Sequence, residues 1–283
     1  MRGKNTPRAL DIRPIAGALG VEIGGVDLSG PLDGATVGGI RQALLDHMVV
    51  FFREQDLSPG QLVAFGRQFG TLSQYPFVSG LPNHPEVIEV VIKEKVAVSL
   101  GGVWHSDTVY LEQPPMGSML FALEVPPARG DTMFANMFMA YETLSDGMKR
   151  MLTNLRAVNS SAKADVSRTR EDRIAGSPGQ GARQTFESTH PVVRTHPESG
   201  RKGLYVNIAH TARFEGMTEE ESAPLLNFLF QHQVKHEFTC RFRWEKGSLA
   251  FWDNRSTQHY PINDYHGFRR RMHRITLSGD TPR

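Results

Sequence analysis

A single cysteine in 283 residues leaves Cys240 with no partner in the chain, so no intrachain disulfide can brace the fold. No stretch reaches the run of about eighteen apolar residues that marks a membrane-spanning helix. Neither sign of charge dominates. Lys and Arg number 32 against 30 Asp and Glu, and the formal charge of +2 gives no field suited to nucleic acid or an anionic membrane surface. The basic start, Met-Arg-Gly-Lys-Asn-Thr-Pro-Arg, has no apolar segment behind it of the kind a secretory leader carries. These absences predict a cytoplasmic protein in reducing surroundings, with neither nucleic acid nor membrane as partner. There is also no internal repeat or heptad pattern, and a single domain over residues 1–283 fits a length that all-β folds often reach undivided.

Short strand-like runs separated by Gly and Pro dominate the rest. Val49-Val-Phe-Phe52, Val87-Ile-Glu-Val-Val91, Met119-Leu-Phe-Ala122, Leu204-Tyr-Val206 and Leu249-Ala-Phe-Trp252 are the clearest. Helices interrupt them. Ser58-Pro59 reads as N-cap and first-turn proline ahead of Leu62, Phe65 and Phe69. Thr218-Glu-Glu-Glu221 reads as a capping box ahead of Leu226, Leu229 and Phe230. Val37, Ile40 and Leu44 mark an earlier helix. Cys240 alternates with polar positions in Phe238–Trp244 and is expected to be packed rather than reactive. Many strands with a few covering helices predict a mainly β fold, a jelly-roll barrel of the cupin-like, double-stranded β-helix kind whose mouth can carry a metal. Residues 162–187 are rich in Arg, Ser, Gly and Gln with little to bury, which predicts a mobile loop or lid.

Chemistry concentrates in two places. Trp104-His105-Ser106-Asp107 offers an imidazole and a carboxylate two residues apart, which a strand would point the same way. Gln258-His259-Tyr260 supplies a distant second imidazole. Two His and one carboxylate form the facial triad that holds non-haem Fe(II) and leaves positions open. Downstream, Phe268-Arg-Arg-Arg-Met-His-Arg-Ile-Thr-Leu277 read as a strand places Arg270, Met272 and Arg274 on one face and Arg269, Arg271 and His273 on the other. Arginines on an inward face, eleven and fifteen residues after His259, suit anion receptors, because a guanidinium fork meets a carboxylate with two prongs. His196-Pro-Glu198 is another His-x-acid pair, but it lies in a turn-like segment with no arginine-rich strand at the matching distance. Asp253, Asn254 and Arg255 are expected to brace the turn that presents His259.

On Gly20–Leu28, Trp104–Asp107, Gly130-Asp-Thr-Met-Phe134, Gly203-Leu-Tyr-Val-Asn207, Trp252–His259 and Met272-His-Arg274, the chain resembles the taurine dioxygenase / 2,4-dichlorophenoxyacetate dioxygenase (TauD/TfdA) family of Fe(II)- and 2-oxoglutarate-dependent dioxygenases. The resemblance implies His105, Asp107 and His259 as iron ligands and catalytic centre. It implies Thr132 and Arg270 on the distal carboxylate of 2-oxoglutarate, and Arg274 facing the anionic head of the substrate. It further implies O2 as cosubstrate, release of succinate and CO2, and a homo-oligomer, dimer or tetramer. The retained carboxylate argues against a halogenase.

Departures from the taurine-specific pattern bear on the substrate. Tyr75 replaces a sulfonate-binding His, Val78 a Tyr and Gly101 an Asn, while His210 stands where an aromatic residue lines the pocket. Phe77, Val78 and Val103 add apolar surface. Losing polar contacts in a buried site discriminates by about 1–3 kcal/mol per group. The expected substrate is therefore a larger apolar anion, an alkyl sulfate, sulfonate or aryloxyalkanoate, whose hydroxylation leads to C–S or C–O cleavage. Alternatives are taurine itself, plain hydroxylation of a small carboxylate, or a non-catalytic small-molecule-binding barrel.

Overall fold

In the computed structural model, residues 10–74, 78–92, 102–163 and 185–283 are described. The Gly- and Pro-bounded apolar runs become short strands. The first are β1 (Asp11–Pro14), β2 (Val21–Gly24), β3 (Val49–Phe52), β4 (Leu72–Ser73), β5 (Ile88–Ile92), β6 (Gly117–Glu124), β7 (Thr132–Asn136) and β8 (Arg156–Ser160). They are followed by β9 (Glu187–Pro191), β10 (Val193–Thr195), β11 (Lys202–Leu204), β12 (Thr211–Phe214), β13 (Thr239–Phe242), β14 (Leu249–Asp253), β15 (Thr257–Pro261) and β16 (Arg270–Leu277). Helices α1 (Gly34–His47) and α2 (Pro59–Arg67) precede β4. Then α3 (Met137–Glu142) and α4 (Asp146–Leu152) follow β7, and α5 (Glu219–His232) precedes β13.

The helix starts follow their side-chain caps. Ser58 Oγ accepts from Gln61 N while Gln61 Oε1 accepts from Ser58 N, and Thr218 with Glu221 repeats the arrangement. The expected strand at Leu204–Val206 is shifted upstream: Lys202–Leu204 pairs with β10, and the Tyr205 N–H makes one more bond in that register, to the Val192 carbonyl, where the pairing stops.

A large sheet runs in the order β1-β2-β3-β14-β6-β16-β4, with β5 also on β16, and a small one runs β13-β7-β15. Alternation sorts the large sheet's residues onto its two faces. Met119, Phe121, Leu249, Phe251, Ile275 and Leu277 pack under α1 and α2 against residues such as Ile40, Leu62 and Phe65. Ala122, Ala250, Trp252 and Met272 point the other way, onto Phe134, Cys240 and Phe242 of the small sheet. Aromatic rings join the two layers. Phe51 of β3 stacks on Phe242 of β13 with centroids 3.9 Å apart, and Phe134 of β7 lies 5.8 Å from Trp252 of β14. Aromatic pairs of this kind contribute about 0.5–1.5 kcal/mol beyond their buried area. This face-to-face pair of sheets under covering helices is the expected mainly β jelly-roll architecture. The functional residues collect where the layers meet. Of residues 162–187, the stretch 164–184 lies outside the described residues, as do Tyr75, Phe77 and Gly101.

Candidate metal and anion site

His259 sits in β15, opposite Phe134 of β7, and its alternation turns the imidazole between the layers. Here the structure departs from one expectation. His105 and Asp107 do not lie on a regular strand: His105 forms an isolated bridge with His259, and Asp107 begins a turn in which Thr108 has φ 43°. The bridge has both bonds, His105 N to His259 O at 3.1 Å and His259 N to His105 O at 2.8 Å. Two ligand candidates far apart in sequence are thus locked together by backbone, while the turn brings the carboxylate back toward them.

The three side chains meet as the spacing predicted. His105, Asp107 and His259 are all buried, and their candidate ligand atoms lie within 4.8 Å of one another. Nε2 of each imidazole lies 3.9 Å from Oδ1 of Asp107. The Val103 carbonyl accepts a 2.8 Å bond from Nδ1 of His105, which puts the ring proton there and leaves Nε2 with a lone pair facing the carboxylate. Burial pushes the His105 imidazolium down, so this ring is neutral near pH 7. Burial alone would push Asp107 up, but the adjacent Arg274 and the two imidazoles outweigh it and hold the carboxyl well below the usual range. Two imidazole nitrogens, deprotonated as metal binding requires, and one carboxylate oxygen fit Fe(II).

Arg270 and Thr132 face a second polar spot. Arg270 is buried, and its Nε and Nη2 have no hydrogen-bond partner among the described residues. Trp244 and Tyr265 flank it with ring centroids 5.8 Å away. Gly130, at φ 70°, carries no Cβ where one would come within 3.5 Å of Arg270 Nε and 3.1 Å of Tyr265. Thr132 Oγ1 accepts from Trp244 Nε1 at 2.9 Å. Tyr265 and Asp131 only partly compensate this desolvated guanidinium, so the spot suits a ligand carboxylate.

Arg274 has a protein partner that sequence reasoning did not foresee. Its Nη2 lies 2.5 Å from Oδ2 of Asp107 and donates to Ser118 Oγ at 3.0 Å, while Nε has no partner among the described residues. Ser118 was missed as well, although it is a small polar residue inside an apolar strand. His210 is buried near the triad, its ring 6.3 Å from that of His105 and 5.0 Å from that of Tyr110, another buried residue not foreseen. Val78 is buried, and Val103 is 42% exposed. His273 pairs with Glu89 of β5, away from the triad's face. His196 is no ligand candidate but a buried donor to Asp253 at 3.0 Å. Asp253 in turn holds Arg255, whose Nη2 reaches Glu198 at 2.8 Å, so the expected bracing of the turn before His259 is present.

The family model for "Taurine catabolism dioxygenase TauD, TfdA family" matches residues 11–276. An alkylsulfatase of Acinetobacter baylyi is 34% identical, over 98% of this chain and 87% of that protein. An alpha-ketoglutarate-dependent sulfate ester dioxygenase of Pseudomonas putida is 35% identical, over 96% and 91%. The crystal structure of a taurine dioxygenase from Burkholderia xenovorans superposes with a TM-score of 0.82 at 36% identity, covering 97% of this chain and 92% of that one. With the His-Asp-His cluster and the buried Arg270, these likenesses make the chain a member of the TauD/TfdA family, a 2-oxoglutarate-dependent dioxygenase that uses Fe(II) and O2.

Proposed function

We propose that the chain oxidises a monoanionic, largely apolar substrate, with an alkyl sulfate ester first in order, at the carbon that bears the anionic group. His105, Asp107 and His259 hold the metal, Arg270 with Thr132 holds the distal carboxylate of 2-oxoglutarate, and Arg274 receives the substrate's anion. When bound, the metal and cosubstrate supply the oxidising power, with succinate and CO2 as by-products.

Charge carries the reading. Asp107 set against Arg270 and Arg274 leaves one positive charge at the site, because imidazoles that ligate a metal must themselves be neutral. The double charges of Fe(II) and 2-oxoglutarate cancel, so one monoanion completes neutrality, whereas a zwitterion such as taurine does not. Alkyl sulfates, sulfonates and aryloxyalkanoates all meet that requirement, and the two sulfate-ester relatives favour the first.

The chain's own share is positioning. Arg274 keeps Nη2 on Asp107 and Ser118 and offers its unpartnered Nε to the substrate. Burial of the triad excludes bulk water and strengthens each charge contact. Exposed Val103 and the neighbourhood of His210 line the approach with apolar and aromatic surface. A hydroxyl placed on a carbon bearing sulfate leaves a hemiacetal-type product, which expels the sulfate and becomes an aldehyde.

The test is anaerobic visible absorption with Fe(II), then 2-oxoglutarate, then a panel of alkyl sulfates, sulfonates and aryloxy acids, followed by product analysis in air. A charge-transfer band absent from His105→Ala, perturbed most by an alkyl sulfate and followed by release of sulfate and succinate in equal amounts, is expected. Turnover of taurine above the whole panel, or hydroxylation without release of the anion, would overturn the substrate assignment.

A further inference from the structure

We propose that Ser118 is the positioning residue that fixes which oxygen of Asp107 faces the imidazoles. The inference rests on the reading of the triad as the metal site. Ser118 lies in β6, opposite Trp252 of β14 and Thr276 of β16, fully buried between the two strands. Its hydroxyl has three neighbours: Asp107 Oδ2 at 2.9 Å, Arg274 Nη2 at 3.0 Å and Asn254 Nδ2 at 3.3 Å. A guanidinium can only donate. Asn254 is oriented as a donor too, because its Oδ1 accepts from Trp252 Nε1 at 3.0 Å and Asp107 N at 3.4 Å. Both lone-pair sites of Ser118 Oγ are therefore filled from outside, and its single proton has one destination, Oδ2 of Asp107.

The direction of that bond has a consequence for the ligand. Oδ2 receives the Ser118 proton and the Arg274 N–H together, and is committed to protein donors. Oδ1 is the oxygen that stands 3.9 Å from both Nε2 atoms. The carboxylate is thus held to present one oxygen to the metal position. Asn254 extends the clamp, since the same amide that donates to Ser118 accepts from the backbone N–H of Asp107. The side chain of Asp107 is fixed from β6 and β16 and its main chain from the turn after β14, although Asp107 itself lies in a turn. Arg274 alone would not suffice, because the same guanidinium is asked to meet the substrate's anion. Ser118 keeps Oδ2 occupied whichever way Arg274 leans.

Anaerobic Co(II) titration followed by its visible bands, with the melting temperature of the metal-free protein as a second readout, tests this on the full chain. Ser118→Ala should bind Co(II) more weakly by about 10–100-fold, the usual consequence of removing a group that orients a ligand. Ser118→Thr, which restores the hydroxyl, should recover most of that loss. The metal-free Ser118→Ala protein should melt a few degrees lower, because Asn254 Nδ2 and Arg274 Nη2 lose an acceptor, and Ser118→Thr should not. Co(II) affinity unchanged in Ser118→Ala, or equally weakened in Ser118→Thr, would overturn the assignment, as would a fall in melting temperature with intact affinity. A wild-type protein that binds no Co(II) would sink the metal reading beneath it, an outcome distinct from wild type and Ser118→Ala binding alike.

Discussion

Replacing Arg270 by Met should make the metal-free protein more stable while removing its affinity for 2-oxoglutarate. The side chain is 5% exposed, and two of its nitrogens have no acceptor among the described residues. Burial pushes its guanidinium down, and Tyr265 and Asp131 only partly compensate. An unsatisfied buried donor costs about 1–3 kcal/mol, and more when charged. Met fills a similar volume, bends into irregular gaps and leaves nothing unpaired. The expected gain is about 2 kcal/mol, hence on the order of 3–4 °C in melting temperature for a chain of this size. The same substitution removes both prongs from the distal carboxylate. Truncating one side of a buried charge pair costs about 2–5 kcal/mol, or roughly 30- to 5,000-fold in Kd. Thermal melting without metal, with calorimetric titration of 2-oxoglutarate into metal-loaded protein, gives both numbers. A variant that melts lower and still binds 2-oxoglutarate normally would refute the reasoning, because the unpartnered nitrogens would then be neither a strain on the fold nor a receptor.

Two further substitutions probe the frame around the site. Asp253 is held below the ordinary carboxylate range: its burial, which would raise it, is outweighed by Arg255 and His196. Such a group contributes stability at pH above about 4, the unfolded value, and loses that contribution as pH falls further. Asp253→Asn should therefore cost about 3–5 kcal/mol at pH 7 and flatten the acid limb of stability, measured as urea midpoints from pH 7 to pH 3; an unchanged limb would remove Asp253 from the bracing role. Glu54 is exposed with φ 56°, a conformation glycine adopts without strain, so Glu54→Gly should raise stability by about 0.5–1 kcal/mol in the same assay, and a loss would show that the side chain has an unrecognised contact.

The parts of the fold legible in sequence are those whose cause is local. Ser58-Pro-Gly-Gln61 and Thr218-Glu-Glu-Glu221 carry their caps within four residues, and both helices start there. Val49–Phe52 and Leu249–Trp252 are apolar throughout because each is buried on both faces, under the helices and against the small sheet. Leu204–Val206 reads as one strand by composition, yet only Leu204 pairs. The Tyr205 N–H still reaches the Val192 carbonyl in that register, but the Val206 carbonyl accepts from Gln258 Nε2 of β15, a tertiary contact that no local pattern announces.

The site divides along the same line. Facing is a local property, so alternation along β16 placed Arg270, Met272 and Arg274 together, and the buried Met272 between the sheets bears that out. Pairing is not local. Whether Arg274 meets a ligand or a protein carboxylate depends on where the turn after His105 carries Asp107, and that path is set by the backbone bridge to His259. Once Asp107 arrives over β6, the residue beneath it must supply a proton, because Arg274 and Asn254 approach as donors from either side. A serine in the apolar run Met116–Leu123 is the trace this leaves in the sequence. It is legible only after the turn has been placed, which is why the metal ligands could be named from spacing and the residue that aims one of them could not.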